Sequence, residues 1–78
     1  MKYVKIYEID KDTGKYYEIK LNVPDNMKPK DLKPMMRVGD YLVMGDKIYI
    51  RVWGGVREAN EEEKIKLYTS ILSGDEVG

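Results

Sequence analysis

Apolar and polar residues alternate along two stretches of the chain, and this alternation predicts two β-hairpins. The central hairpin, residues 38–53, is predicted around a tight Gly45-Asp46 turn, because Gly takes the positive φ that opens a type II′ turn. We expect Met44 opposite Lys47, Leu42 opposite Tyr49, Asp40 opposite Arg51 and Val38 opposite Trp53. The Asp–Arg pair is predicted to form a cross-strand ion pair. Both faces of this hairpin carry mainly apolar side chains, so another part of the chain must pack against each face.

The N-terminal hairpin, residues 1–23, is predicted around a turn at residues 10–15, where Asp10 starts the turn and Gly14 ends it. The expected pairs are Ile9 with Tyr16, Tyr7 with Glu18, Ile6 with Ile19, Lys5 with Lys20 and Val4 with Leu21. One face is predicted to be core and carries Val4, Ile6, Tyr17, Ile19, Leu21 and Val23. The opposite face is predicted to be exposed and carries Tyr3, Lys5, Tyr7, Ile9, Tyr16, Glu18, Lys20 and Asn22.

Between the hairpins, residues 24–37 form a proline-rich crossing with Pro24, Pro29 and Pro34 spaced five apart. Proline disfavours an α-helix at the preceding residue. We therefore expect a 3₁₀ turn near residues 30–33 and a short strand at 35–38. Apolar side chains of the crossing, Met27, Leu32, Met35 and Met36, should anchor it to the core.

Residues 60–73 are predicted to form an amphipathic helix that follows the end of the last strand at Gly54-Gly55. Asn60 and Glu63 have the spacing of a capping box. The predicted buried stripe is Ile65, Tyr68, Ile71 and Leu72, with Leu67 at its edge. Gly74 should end the helix, and residues 74–78 are predicted to be a frayed tail.

These elements predict one domain over residues 1–78, of mainly β or α+β class. We expect four to five antiparallel strands, as a small sheet or an SH3-like half-barrel, with the first hairpin stacked on one side of the central hairpin. The helix is expected to cover the other side or to close one open end. The element order, with Met36-Arg37-Val38-Gly39 before a strand, resembles that of the small SH3-like chromatin proteins of archaea. This similarity is one of layout and carries no diagnostic motif.

Composition narrows the classes of function. The 78 residues include no Cys and no His, which excludes disulfides and removes the commonest general base and metal ligand. The charges cancel overall, although residues 1–38 hold nine Lys/Arg against six Asp/Glu. The abundant Lys, Glu, Ile and Tyr are compatible with a heat-adapted source. No secretion signal or membrane span is apparent, so we expect a soluble, cytoplasmic protein.

The sequence contains no convincing motif for catalysis or for metal binding. Asp10-x-Asp12-x-Gly14 begins like a calcium loop, but its glycine comes one position early and its twelfth position is Leu21. The glycines match no phosphate-binding loop, and the serines have no His to activate them. We therefore predict a non-enzymatic protein without a cofactor or metal.

The exposed face of the N-terminal hairpin is the predicted binding surface. Its contact residues would be Tyr3, Lys5, Tyr7, Ile9, Tyr16 and Lys20. Tyrosines are frequent at binding hot spots, and the adjacent Lys5 and Lys20 repel each other unless an anionic partner lies over them. The alternative is a surface without a role, because Tyr is a favoured strand residue that keeps its hydroxyl in water.

Three hypotheses of function remain, of which the first two use this surface. The leading hypothesis is a small regulatory, adaptor or inhibitor module that binds a protein partner, including another copy of itself in a homo-oligomer. The second is a nucleic-acid binder of SH3-like fold that uses the same face. The third is sequestration of a small anionic ligand, such as a nucleotide, in a cleft or an oligomer interface. Trp53 and the Met group, Met27, Met35, Met36 and Met44, form a further candidate surface for which use in the core is the favoured interpretation.

Overall fold

Alternating apolar side chains build one antiparallel sheet in the computed structural model, which describes residues 1–73. The elements are β1 (Lys2–Ile9), β2 (Tyr16–Val23), a 3₁₀ helix (Pro29–Met35), β3 (Tyr41–Met44), β4 (Lys47–Val52), β5 (Gly55–Glu58) and α1 (Glu61–Leu72). Within this described part the sheet has five strands in the order β2-β1-β3-β4-β5. The prediction of a small antiparallel sheet with one C-terminal helix is confirmed.

The predicted register of the first hairpin is confirmed, and that of the central hairpin is confirmed where β3 pairs with β4; the expected pair of Val38 with Trp53 does not form, because β3 begins at Tyr41 and β4 ends at Val52. The first hairpin pairs Ile9 with Tyr16, Tyr7 with Glu18, Ile6 with Ile19, Lys5 with Lys20 and Val4 with Leu21, and the second pairs Met44 with Lys47 and Leu42 with Tyr49. Gly45 has φ +65°, and no residue other than glycine has positive φ within residues 1–73. Positive φ at the first turn residue alone is the signature of a type II′ turn.

The placement of the N-terminal hairpin differs from the prediction. β1 pairs edge to edge with β3, with Tyr7 opposite Tyr41 and Val4 opposite Met44, so the hairpin extends the sheet instead of stacking on it. The reason is that β1 is itself apolar on both faces, with Val4 and Ile6 on one side and Tyr7 and Ile9 on the other. A strand of this pattern belongs in the interior of a covered sheet.

Two separate segments cover the two faces of the sheet. Residues 1–73 contain two clusters of buried apolar side chains. On the helix face, α1 inserts Leu67 against Tyr7, Tyr16, Tyr41, Ile48, Ile50 and Ala59. On the crossing face, the crossing inserts Leu32 and Met36 against Val4, Ile6, Val23 and Leu42. The 3₁₀ helix appears where the prolines predicted it, but it runs to Met35, and the expected strand at 35–38 does not form.

The chain after β4 was only partly predictable. Gly54, with φ +94°, does not end the sheet but lies in the turn that leads into β5, where Val52 pairs with Gly55. β5 was missed because its four residues contain Val56 as their sole large apolar side chain. Trp53 is at the tip of this turn and is 91% exposed, so the prediction that it belongs to the core is wrong. Met36 is buried, whereas Met35 is exposed.

The helix starts as predicted and is rotated differently from the prediction. Asn60 Oδ1 accepts a hydrogen bond from the Glu63 N–H at 2.9 Å, and Glu63 Oε1 accepts one from the Asn60 N–H at 2.8 Å. Leu67 is completely buried, whereas Ile65, Tyr68 and Leu72 are exposed. The predicted stripe was therefore wrong except for Ile71, which is partly buried against the helix face. The expected stop at Gly74 and the frayed tail lie outside the described residues.

An ion pair between sheet and helix accompanies this rotation. Arg57 of β5 donates from Nη1 to Glu63 Oε1 at 2.8 Å and from Nη2 to Glu63 Oε2 at 2.7 Å. This two-point contact orients Glu63 toward the sheet. Residues four apart lie on the same side of a helix, so Leu67 and Ile71 follow Glu63 onto the core side.

Candidate protein interface on the N-terminal hairpin

Most of the tyrosines that were predicted to form an exposed binding surface are buried. Tyr7 and Tyr16 are only 6% and 8% exposed, and their ring centroids lie 5.9 Å apart within the cluster that α1 covers. Ile9 is partly buried against the same cluster. Tyr3 keeps half of its surface in solvent. The prediction of an exposed Tyr3/Tyr7/Tyr16 face is therefore wrong, because α1 covers the face that the first hairpin was expected to leave open.

The two adjacent lysines already have an anionic partner within the chain. Glu18 Oε2 accepts a hydrogen bond from the Tyr7 hydroxyl at 2.7 Å. Lys20 Nζ is 3.5 Å from Glu18 Oε1, and Lys5 Nζ is 4.0 Å from Glu18 Oε2. The Tyr7 hydrogen bond, aided by the two ammonium groups, lowers the pKa of the Glu18 carboxyl. The lysine pair thus needs no external anion, which removes the main argument for phosphate recognition on this face.

The opposite face of the same hairpin is the one that remains open. The crossing covers Val4, Ile6 and Val23, but Tyr17 and Ile19 are 40% and 45% exposed and Leu21 is partly buried. These three side chains point to one side of β2 because they alternate along it. We call Tyr17, Ile19 and Leu21 the apolar strip. The sequence pattern correctly placed the strip on one face with Val4 and Ile6, but the prediction that Tyr17 and Ile19 belong to the core is wrong, because the crossing stops short of them.

The backbone of β2 has a free outer side next to the apolar strip. The Asp10 N–H donates to the Lys15 carbonyl at 2.8 Å, which marks 10–15 as a hydrogen-bonded pair of the ladder. Such pairs alternate with non-hydrogen-bonded ones in an antiparallel ladder. Residues 17, 19 and 21 therefore bond inward to β1, whereas Glu18, Lys20 and Asn22 direct their backbone N–H and C=O groups outward. No further strand from residues 1–73 lies on that side.

Other polar groups of interest have structural explanations. The Asp10 Oδ1 accepts the backbone N–H groups of Asp12 and Thr13, so the calcium-like run is a hairpin turn. Asp40 is buried, and its Oδ2 accepts the Arg37 N–H at 2.9 Å. Burial is the main cause that raises the pKa of Asp40.

The predicted ion pair between Asp40 and Arg51 is not found among the described residues. Arg51 Nη1 instead donates to the carbonyl oxygens of Val52 and Gly55. The backbone N–H of Arg51 does donate to the Asp40 carbonyl, at 2.8 Å, so the two residues are neighbours across the strands as predicted.

A shallow cleft lies between α1 and the end of the sheet that carries Ile9 and Tyr41. Its volume is about 640 Å³. Ile9, Tyr41, Ile50 and Ile65 supply its large apolar groups, and Asp10, Lys11, Glu63, Lys66, Thr69 and Ser70 supply its polar side chains. Two lysines and two carboxylates balance one another, so the cleft has no net charge with which to select an anion.

Comparison with protein families, curated proteins and solved structures finds no match. Within residues 1–73 no group of three or more His, Cys, Asp and Glu side chains is placed to hold a metal ion. No helix of that part has the length and apolar content needed to cross a membrane.

Proposed function

We propose that this protein is a non-enzymatic interaction module that binds a protein partner through the outer edge of β2. The partner contributes an extended segment that adds as a further strand to the sheet. The observation that supports this most is the outward backbone of Glu18, Lys20 and Asn22 beside the half-exposed side chains of Tyr17 and Ile19. Strand addition takes its affinity from main-chain hydrogen bonds and its specificity from alternate side chains.

The edge lacks most of the features that usually protect such strands. Exposed edges are commonly kept short, interrupted by proline or twisted away by a bulge. β2 has eight residues, contains no proline, and pairs with β1 without a break in register. Lys20 is the one lysine within it, and its ammonium lies beside Glu18. By contrast, β5 at the other edge has only four residues.

A proline substitution tests the proposal. Lys20→Pro removes an outward N–H and places a ring where the added strand would lie, while leaving the inward ladder to β1 intact; edge strands tolerate proline in this orientation. Affinity capture from the source cells with the tagged chain should yield a protein that Lys20→Pro loses and Lys66→Ala, on α1, retains. In the captured complex, the amides of Glu18 and Lys20 should become protected from exchange.

Equal capture by the wild type and a folded Lys20→Pro variant would contradict the proposal. Ile19→Pro is the matched control for the ladder, because its N–H bonds inward to β1. This variant should lose stability, whereas Lys20→Pro should keep a cooperative unfolding transition.

The cleft supports a second candidate, which is binding of a small ligand with an apolar body. Its volume of about 640 Å³ lies in the range of small-molecule sites. A ligand at 100 times its Kd would stabilise the fold by about 2.7 kcal/mol. Uncharged aromatic compounds that fit the cleft should then raise Tm, and Ile65→Glu, in the cleft lining, should reduce the rise while Leu72→Glu, outside the cleft, should not. A panel of such compounds without any Tm change would contradict this candidate.

A further inference from the structure

Building on the proposed strand addition, we propose that the added strand is β2 of a second copy of this chain, in a two-fold antiparallel dimer with Ile19 opposite Ile19. The two sheets would then continue into one sheet of ten strands. The inference rests on the proposed function, and it names the partner of that same edge. Three features of β2 support it: the backbone, the charges and the apolar strip.

The backbone of β2 is self-complementary. In an antiparallel ladder, residues that direct their N–H and C=O groups toward the partner strand pair with residues that do the same. The outward residues are Glu18, Lys20 and Asn22. With Ile19 on the two-fold axis, Glu18 forms a hydrogen-bonded pair with Lys20 of the second copy, and the reverse pair forms by symmetry. Ile19 meets its counterpart as a non-hydrogen-bonded pair.

The charges select this register over its neighbours. A dimer centred on Glu18 would place two glutamates directly opposite, and one centred on Lys20 would place two lysines opposite. Like charges at opposite positions destabilise a sheet, and unlike charges stabilise it. The Ile19-centred register is the one of these three that yields two Glu–Lys pairs. Pro24 lies beyond the last paired residue, so its missing N–H does not interrupt the ladder.

The apolar strip is completed by the same arrangement. A two-fold axis perpendicular to the sheet keeps equivalent faces on the same side. Tyr17 of each copy then lies opposite Leu21 of the other, and the two Ile19 side chains lie together. Side chains that are 40% and 45% exposed in the single chain, Tyr17 and Ile19, gain apolar neighbours. This burial is the driving force that outward backbone groups alone do not provide.

Cysteine cross-linking tests the register directly, because the chain has no cysteine of its own. Residues of a non-hydrogen-bonded antiparallel pair have Cα atoms about 4.5 Å apart, within the range that a disulfide spans. Under mild oxidation, Ile19→Cys should form a disulfide dimer at least about tenfold faster than Tyr17→Cys or Leu21→Cys alone. A mixture of Tyr17→Cys and Leu21→Cys should cross-link as well as Ile19→Cys does. Equal rates for all single variants, or fastest cross-linking by Glu18→Cys or Lys20→Cys, would overturn the proposed register.

Charge exchange gives an independent readout by sedimentation equilibrium. Lys20→Glu should raise the dimer Kd about tenfold, because it replaces two opposite-charge pairs by two like-charge pairs. The double exchange Glu18→Lys with Lys20→Glu should restore most of the affinity. A dimer Kd that Lys20→Glu leaves unchanged would contradict the pairing.

The two proposals fail in distinguishable ways. A chain that stays monomeric at high concentration, yet captures a different protein in a Lys20→Pro-sensitive manner, would refute self-association and support the edge as the binding site. A dimer that forms equally well with Lys20→Pro would refute the proposed dimer, and equal capture of other proteins by that variant would refute the edge as a binding site as well.

Discussion

Truncating Tyr7 should unfold the domain at moderate temperature, although this residue belongs to the face that the sequence pattern predicts to be exposed. Its side chain is 6% exposed, contacts the Tyr16 ring and donates a hydrogen bond to Glu18. Replacing a buried aromatic side chain by alanine costs about 3–5 kcal/mol. A 78-residue domain has an unfolding free energy of about 4–12 kcal/mol. Tyr7→Ala should therefore remove a large share of the stability and lower Tm by about 12–40 °C.

The measurement is urea and thermal unfolding followed by far-UV circular dichroism at one fixed protein concentration. Fluorescence is a poor probe here because Trp53 is almost fully exposed in the folded state. Tyr3→Ala is the matched control, since Tyr3 is on the same strand and face and is half exposed. It should cost no more than about 1 kcal/mol. Equal stability of Tyr7→Ala and Tyr3→Ala would refute the account of the helix face.

Three further predictions concern the helix and the central turn. Leu67→Ala should cost about 2–5 kcal/mol in denaturant unfolding, whereas Ile65→Ala should cost less than about 1 kcal/mol; the reverse order would restore the predicted stripe. The Arg57 contact lowers the pKa of Glu63, so the stability contributed by this pair should be complete at neutral pH and be lost as the pH falls through that lowered pKa. Glu63→Gln should abolish this part of the pH dependence in unfolding titrations between pH 2 and 7, and an unchanged profile would contradict it. Gly45→Ala forces a side chain to positive φ and should cost about 1–2 kcal/mol, whereas an unchanged denaturation midpoint would rule out the type II′ assignment.

Local features of the sequence were sufficient for the registers of both hairpins. The spacing between a turn glycine and the alternating residues on either side leaves one pairing that keeps apolar groups together. Gly45 has the positive φ that its turn type requires. The start of the helix was predictable for the same reason, since Asn60 and Glu63 form reciprocal hydrogen bonds within one turn.

Local sequence patterns did not predict which segment packs on which face of the sheet. Whether Tyr7 or Ile19 is buried depends on where α1 and the crossing come to rest, and both faces of β1 are apolar enough to accept either. The helix rotation likewise depends on contacts between different elements, among them the burial of Leu67 against the sheet and the contact of Arg57 in β5 with Glu63 in α1. Ile65 and Tyr68 matched the helical period as well as the buried Leu67 did.

The candidate site was missed for the same reason. The sequence placed the predicted binding surface on the hairpin that carries the proposed edge, but on the face that α1 covers. The side-chain pattern does not show that backbone groups of β2 point outward without a partner strand. That depends on which strand lies at the edge of the sheet. Tyr17 and Ile19 are exposed because the crossing does not extend far enough along the sheet to cover them. The spacing of the prolines does not determine how far the crossing extends.

Amide hydrogen exchange as a function of protein concentration shows whether the outer edge of β2 gains a further strand. In dilute solution the amides of Glu18 and Lys20 should exchange much faster than those of Ile19 and Leu21, which bond to β1. At high concentration the Glu18 and Lys20 amides should become protected as the second β2 strand adds. Exchange of Glu18 and Lys20 that stays fast at every concentration, while amides elsewhere become protected, would show that association uses a different surface.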